Sequence, residues 1–159
     1  GYTMPLPEKD DMFLTKGKML QDIMVGLGGR IAESLVFDDV TTGASQDIRM
    51  VTETARNMVT KYGFSDKLGM INYETSDNEV FIGRDIGHTQ NFSEYTSEQI
   101  DGEVTRIVNE CNEKATKILK ENMDVLNRLA ELLIKKERIG RDEFESLFDK
   151  NDNNLVENV

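Results

Sequence analysis

Apolar residues recur at three- and four-residue steps over residues 15–37, at Met19, Leu20, Ile23, Met24, Leu27, Ile31 and Leu35. That period marks one face of a helix turned to a core. It predicts a long first helix, interrupted by Gly26, Gly28 and Gly29. A glycine costs about 1 kcal/mol against alanine in a helix interior. Such a cluster implies that another backbone passes very close. A second helix is predicted over residues 45–62, with Ile48, Val51, Ala55, Met58, Val59 and Tyr62 facing the core and Gly63 placed as its stop. The period then switches. Met70-Ile71-Asn72-Tyr73 and Glu79-Val80-Phe81-Ile82 flank Thr75-Ser76-Asp77-Asn78, which predicts a small β-hairpin. Residues 84–91 are a polar loop.

The C-terminal half predicts a helical hairpin and a short third helix. Ser93 or Thr96 can cap the first arm, which carries Ile100, Val104, Ile107, Val108, Cys111, Ala115, Ile118 and Leu119. Asn122 or a neighbour starts the second arm, with Val125, Leu126, Leu129, Leu132 and Leu133. Ile139-Gly140-Arg141-Asp142 turns into the third helix, with Phe144, Leu147 and Phe148. These stripes are the longest and least interrupted, so the C-terminal helices are expected to form the most stable part. At the other end, residues 2–6 alternate large apolar residues with Thr3 and Pro5, as in a short extended segment at a sheet edge. Residues 151–159 are polar, lack periodicity and are expected to be a disordered tail. The expected fold is mostly α: a helical bundle with a short N-terminal extended segment and a small β-hairpin.

Composition narrows the function classes. A net charge of −11 repels phosphate backbones, so no nucleic-acid partner is expected. The single cysteine, Cys111, allows no internal disulfide and fits a reducing compartment. It sits on an apolar helical stripe and reads as a buried thiol rather than a nucleophile. No apolar run approaches the ~18 residues of a membrane span, so the chain itself is expected to be soluble. No signal peptide precedes the first helix. The abrupt opening at Gly1-Tyr2-Thr3-Met4 reads as the start of an excised fragment.

The stretch Val40-Thr41-Thr42-Gly43-Ala44-Ser45-Gln46-Asp47-Ile48 joins the first two helices. It sets one carboxylate, Asp47, at the start of the second. Helix starts are positive ends with unpaired N–H groups, so an acid is favoured there. Ordinary first-turn chemistry accounts for this much, with Thr41, Thr42 or Ser45 as the cap. Glu33 lies on the face of Gly26, Gly29 and Arg30, off the apolar stripe, as a solvated acid or an ion pair with Arg30.

The wording of the chain adds to this. Gly28-Gly29-Arg30-Ile31-Ala32-Glu33, Thr41-Thr42-Gly43-Ala44-Ser45-Gln46-Asp47-Ile48, Ala55-Arg56-Asn57-Met58-Val59, Tyr62-Gly63-Phe64-Ser65-Asp66-Lys67-Leu68-Gly69 and Glu79-Val80-Phe81-Ile82-Gly83-Arg84-Asp85 follow in that order. Together they resemble the C-terminal peptidase domain of the FtsH family, the membrane-anchored AAA+ zinc proteases. The resemblance covers residues 1–150: 1–92 as the part near the active site and 93–150 as the C-terminal helical part. It implies a protease of protein quality control that degrades unfolded and membrane proteins fed through a hexameric ring. It implies Asp47 as the third protein ligand of a catalytic zinc. It gives Glu33 a further reading, an acid beside the zinc site that orients a ligand histidine. It places Tyr2, Thr3 and Met4 in a strand that pairs with substrate backbone. ATP and Mg2+ would be bound by an AAA+ domain outside this chain. The parent would be membrane-anchored, with this domain on the cytoplasmic side or its organellar equivalent.

The chain departs from the family pattern in one respect. The family's HExxH helix, with two ligand histidines and the catalytic glutamate, does not occur in it. The missing helix is the backbone that the resemblance sets against the glycine cluster. The single histidine, His88, follows Gly87 in a polar loop and reads as solvent-exposed. No Gly-x-x-x-x-Gly-Lys-Ser/Thr loop and no Gly-x-Ser-x-Gly elbow is present. The chain alone is therefore expected to be inactive and to lack a tight zinc site. A non-catalytic helical module for assembly or docking is the alternative.

Overall fold

The Thr15 hydroxyl accepts from the Lys18 amide at 3.1 Å and so starts α1, Lys16–Val36. The computed structural model describes residues 13–37, 39–74 and 92–148. After α1 come a one-turn 3-10 helix, Thr42–Ala44, and then α2, Ser45–Thr60. The C-terminal half holds α3, Glu94–Glu121, α4, Met123–Lys136, and α5, Arg141–Ser146. Ser93 caps α3 by accepting from the Thr96 amide at 3.2 Å. Asn122 stands at the α3–α4 junction, where its side chain donates to the Ile118 carbonyl and closes α3 rather than capping α4.

The three long helices α1, α2 and α3 pack on one another. Their stripes meet in one core: Met19, Ile23, Leu27 and Ile31 from α1; Val51, Ala55, Met58 and Val59 from α2; Ile100, Val104, Ile107, Cys111 and Ala115 from α3. Burial of such side chains stabilises by roughly 1.5–3 kcal/mol each. The Cys111 thiol faces the Leu20 carbonyl at 3.8 Å, and burial pushes its pKa up. Val125, Leu132 and Leu147 are buried outside this core. The core is therefore shared between the N-terminal helices and α3 rather than confined to the C-terminal helices. An uninterrupted stripe records amphipathicity, not how many partners cover it. Ile134, Leu133, Phe144 and Phe148 stay exposed on α4 and α5 or just beyond. Arg128 joins α4 to the segment after α5 by donating to the Leu147 carbonyl at 2.6 Å.

α2 ends where the sequence places its stop. Gly63 has φ +62, and the Phe64 amide bonds back to the Met58 carbonyl at 2.8 Å. Tyr62 lies outside the core and rests against Phe64, ring centroids 5.8 Å apart. Ile48 is likewise partly exposed.

No strand occurs among the described residues. The expected hairpin is corrected for its first arm: Met70-Ile71-Asn72-Tyr73 is irregular. Met70 is 97% exposed and Ile71 half exposed, so the alternation that suggested a strand has no buried face behind it. The Tyr73 amide bonds to the Thr60 carbonyl at the end of α2, at 2.7 Å, not to a neighbouring strand. The second arm at residues 79–82, the N-terminal segment at residues 2–6, His88 and the tail lie outside the described residues.

Candidate functional site

The junction between α1 and α2 carries two of the site residues singled out from the sequence, Glu33 and Asp47; Tyr2, Thr3 and Met4 lie outside the described residues. α1 closes when Phe37 turns extended and its amide donates to the Glu33 carbonyl at 2.9 Å. The Glu33 side chain then reaches forward. Its Oε1 accepts from the Thr41 hydroxyl at 2.7 Å and its Oε2 from the Thr41 amide at 3.3 Å. The same hydroxyl oxygen accepts from the Gly43 amide at 3.2 Å, which caps the 3-10 turn. These bonds hold the Glu33 carboxyl below the usual carboxylate range: the Thr41 hydroxyl contributes most, then the Thr41 amide, then the Arg30 charge, against a desolvation that raises it.

Glu33 is thus neither simply solvated nor chiefly an Arg30 partner. The guanidinium stands 4.0 Å away, at the edge of ion-pair distance. Sequence reasoning named Thr41 only as a helix cap and did not link it to Glu33. The missed signal is a carboxylate in the last turn of one helix and a hydroxyl just before the next, a pairing with no fixed spacing.

From the 3-10 turn, buried Ala44 leads into α2 without a side-chain cap of its own. Asp47 follows in the first turn of α2. There the free amides and the helix dipole favour a negative charge. Its carboxylate is exposed, and nothing among the described residues pairs with it. Its backbone is fixed from the other side. A Cβ built on Gly26 of α1 would lie 3.9 Å from the Asp47 carbonyl oxygen and 2.8 Å from Val51 Cγ2. Gly26 therefore makes a close approach, but the neighbour is α2. Among the described residues, Gly28 and Gly29 meet nothing within 4 Å of a Cβ, so close approach there explains only the first of the three glycines.

Among the described residues no group of three His, Cys, Asp or Glu side chains could hold a metal. A catalytic zinc generally takes three protein ligands. Asp47 fits one of them: an anionic oxygen, unpaired, on an anchored helix start. The Glu33 carboxylate is already engaged by Thr41.

A second polar centre lies away from this junction, and the sequence had not singled it out. Glu103 of α3 is buried and accepts from the Ser65 hydroxyl at 2.6 Å. Arg106 grips it from one turn on, at 2.9 and 3.0 Å. Those bonds, the Arg106 pair foremost, hold Glu103 well below the usual range, at about 2. Ser65 Oγ also accepts from the Leu68 amide at 3.2 Å, so the loop after α2 is pinned to α3.

The family model described as peptidase family M41 matches residues 1–147. The chain belongs to peptidase family M41. Among its relatives, the ATP-dependent zinc metalloprotease FtsH 1 of Thermoanaerobacter sp. strain X514 is 48% identical over 152 residues, 96% of this chain and 25% of that protein. The ATP-dependent zinc metalloprotease FtsH of Caldicellulosiruptor bescii is 47% identical, over 92% of this chain and 24% of that protein. The FtsH of Bacillus subtilis strain 168 is 41% identical, over 94% and 24%. The M41 chain thus spans about a quarter of the length of the curated relatives it matches. Among its described residues no helix is long and apolar enough to cross a membrane.

Proposed function

We propose that this chain is the distal part of the peptidase domain of an ATP-dependent zinc metalloendopeptidase, and that Asp47 is its metal ligand. The observation that carries the reading is the Asp47 carboxylate: exposed, unpaired among the described residues, and fixed at the start of α2. Membership of peptidase family M41 and the relatives' names, ATP-dependent zinc metalloproteases, support it. Two further ligands and a general base come from outside this chain, on the HExxH helix that the resemblance implies. Bound zinc supplies Lewis acidity and a water of lowered pKa for peptide hydrolysis. Within this chain, Asp47 presents an anionic carboxylate from an anchored helix start. Glu33 stands beside the site as an orienting acid. Tyr2, Thr3 and Met4, which lie outside the described residues, are the residues this reading assigns to substrate backbone pairing.

Residues 1–150 are the peptidase-domain fragment in this reading. The whole protein is a membrane-anchored homohexamer that engages unfolded and membrane proteins, with ATP and Mg2+ bound by its AAA+ domain. The test is degradation of an unfolded casein-type substrate by the full-length protein. It should require ATP, stop on treatment with a zinc chelator and return on adding zinc. Zinc-independent hydrolysis, or none in a protein that binds zinc and hydrolyses ATP, overturns the reading.

A further inference from the structure

We infer that Thr41 is a positioning residue for the metal site, holding the turn that presents Asp47 by bridging Glu33 at the end of α1 to Gly43 at the start of the 3-10 turn. The inference rests on the reading of Asp47 as a metal ligand and adds a residue and a device to it.

Polar bonds rather than packing hold this junction in place. Phe37, Val40 and Ile48 around it are all partly or largely exposed. Ala44 is the one buried apolar anchor among residues 39–47. Packing therefore does little to fix the turn, and polar bonds carry it. Glu33 takes both donors of Thr41, hydroxyl and amide, with separate oxygens. The hydroxyl oxygen then accepts from Gly43. One side chain thus ties α1 to the turn and closes the turn itself. The β-methyl restricts χ1, which keeps the hydroxyl on this line. Gly43 leaves it room, since a Cβ there would lie 3.2 Å from Thr41 Oγ1.

Asp47 stands six residues after Thr41. Between them run the 3-10 turn, closed by the Ser45 amide on the Thr42 carbonyl, and the first residues of α2, so a short, well-defined backbone path links Thr41 to Asp47. On the far side α2 is seated by Val51 against Gly26. The backbone that carries Asp47 is held between two anchors, one steric and one hydrogen-bonded. A metal ligand displaced by a fraction of an ångström binds more weakly, and loss of a partner that orients a ligand costs about 10–100-fold in metal affinity or activity.

The experiment uses the full-length protein with Thr41→Val, Thr41→Ser, Glu33→Gln and Asp47→Asn. Zinc affinity is read by competition with a chelator, alongside kcat and KM for a peptide, ATPase rate and thermal unfolding. Thr41→Val should lower zinc affinity and kcat by about 10–100-fold with little change in KM, ATPase rate or unfolding. Thr41→Ser should restore both to within a few fold, because it keeps the hydroxyl. Glu33→Gln, which removes the acceptor's charge from the other end, should weaken zinc in the same sense. Normal zinc affinity and kcat in Thr41→Val overturn the inference when Asp47→Asn loses both. So does a loss that serine does not restore, or one that comes only with loss of the unfolding transition. Near-normal zinc and turnover in Asp47→Asn instead overturn the underlying reading of Asp47, whatever Thr41 does.

Discussion

Gly26 and Val51 are in such close register that a methyl group added to the glycine would lie 2.8 Å from Val51 Cγ2. Val51 is buried and β-branched, so it has few rotamers into which to retreat. Overpacking of this kind costs about 1–3 kcal/mol. Gly26→Ala should therefore destabilise the chain in urea unfolding, despite a helix-propensity gain of about 1 kcal/mol. Gly28→Ala and Gly29→Ala meet no neighbour among the described residues and should stabilise it, by up to about 1 kcal/mol each. Equal effects at all three positions would show that the α1–α2 approach does not depend on Gly26.

The Glu103 cluster sets a pH dependence. The unfolded carboxyl titrates near 4.3, whereas in the fold the bonds from Arg106 and Ser65 hold it at about 2. A depressed folded pKa stabilises above the unfolded value, and the contribution is lost as pH falls from about 4.5 toward 2. Acid unfolding of the chain should therefore steepen in that window, and Glu103→Gln should flatten it. Ser65→Ala should cost about 1–2 kcal/mol at neutral pH, because it leaves one buried oxygen short of a donor. An acid transition identical in Glu103→Gln and the parent chain would show that other carboxylates govern it.

Hydrogen exchange should map the core onto α1, α2 and α3. Amides near Ile23, Ala55, Met58 and Ile107 should be slowest, and those of α4 and α5 faster. A piece of residues 91–150 loses every partner that α1 and α2 offer to Ile100, Val104, Ile107 and Cys111. It should melt without a cooperative transition. A sharp melt of that piece would return the stable centre to the C-terminal helices.

The helices were legible because local rules and tertiary packing agree along them. Thr15, Ser93 and Gly63 punctuate where short polar side chains or a positive φ are needed. The hairpin's first arm misled because Met70 and Ile71 are apolar without being buried. The location of the core misled because a stripe on α3 does not say whether α4 or the α1–α2 pair covers it. Asp47 was singled out through its motif. Its anchoring was not, because Glu33 and Thr41 meet across a turn whose path no periodicity reports. Glu103 was hidden for a related reason. It lies three residues after Ile100 and three before Arg106, on the inward side of α3, but a mid-helix acid among many in this chain looks like a solvated one.

Asp47 itself gives the sharpest test, because its two roles predict different losses. As a first-turn acid it complements the helix dipole, and removing its charge costs about 0.3–1 kcal/mol. That loss would appear as a small shift in unfolding with metal binding intact. As a ligand it supplies one of three protein donors, and an amide in its place is neutral and a poorer donor for zinc. Losing a partner that only orients a ligand costs about 10–100-fold, so losing the ligand should cost more than about 100-fold in zinc affinity and peptide hydrolysis. In the full-length protein, Asp47→Asn should keep its fold and ATPase activity while losing zinc and proteolysis together. Asp66→Asn is the matched control. Its carboxylate is almost fully exposed and stands 3.9 Å from Lys16, a surface pair of little consequence. It should change stability by less than about 1 kcal/mol and leave zinc and turnover untouched. Zinc content and hydrolysis measured on both variants at matched folding decide between the roles. Normal values in Asp47→Asn would leave residue 47 as a dipole-complementing acid and nothing more.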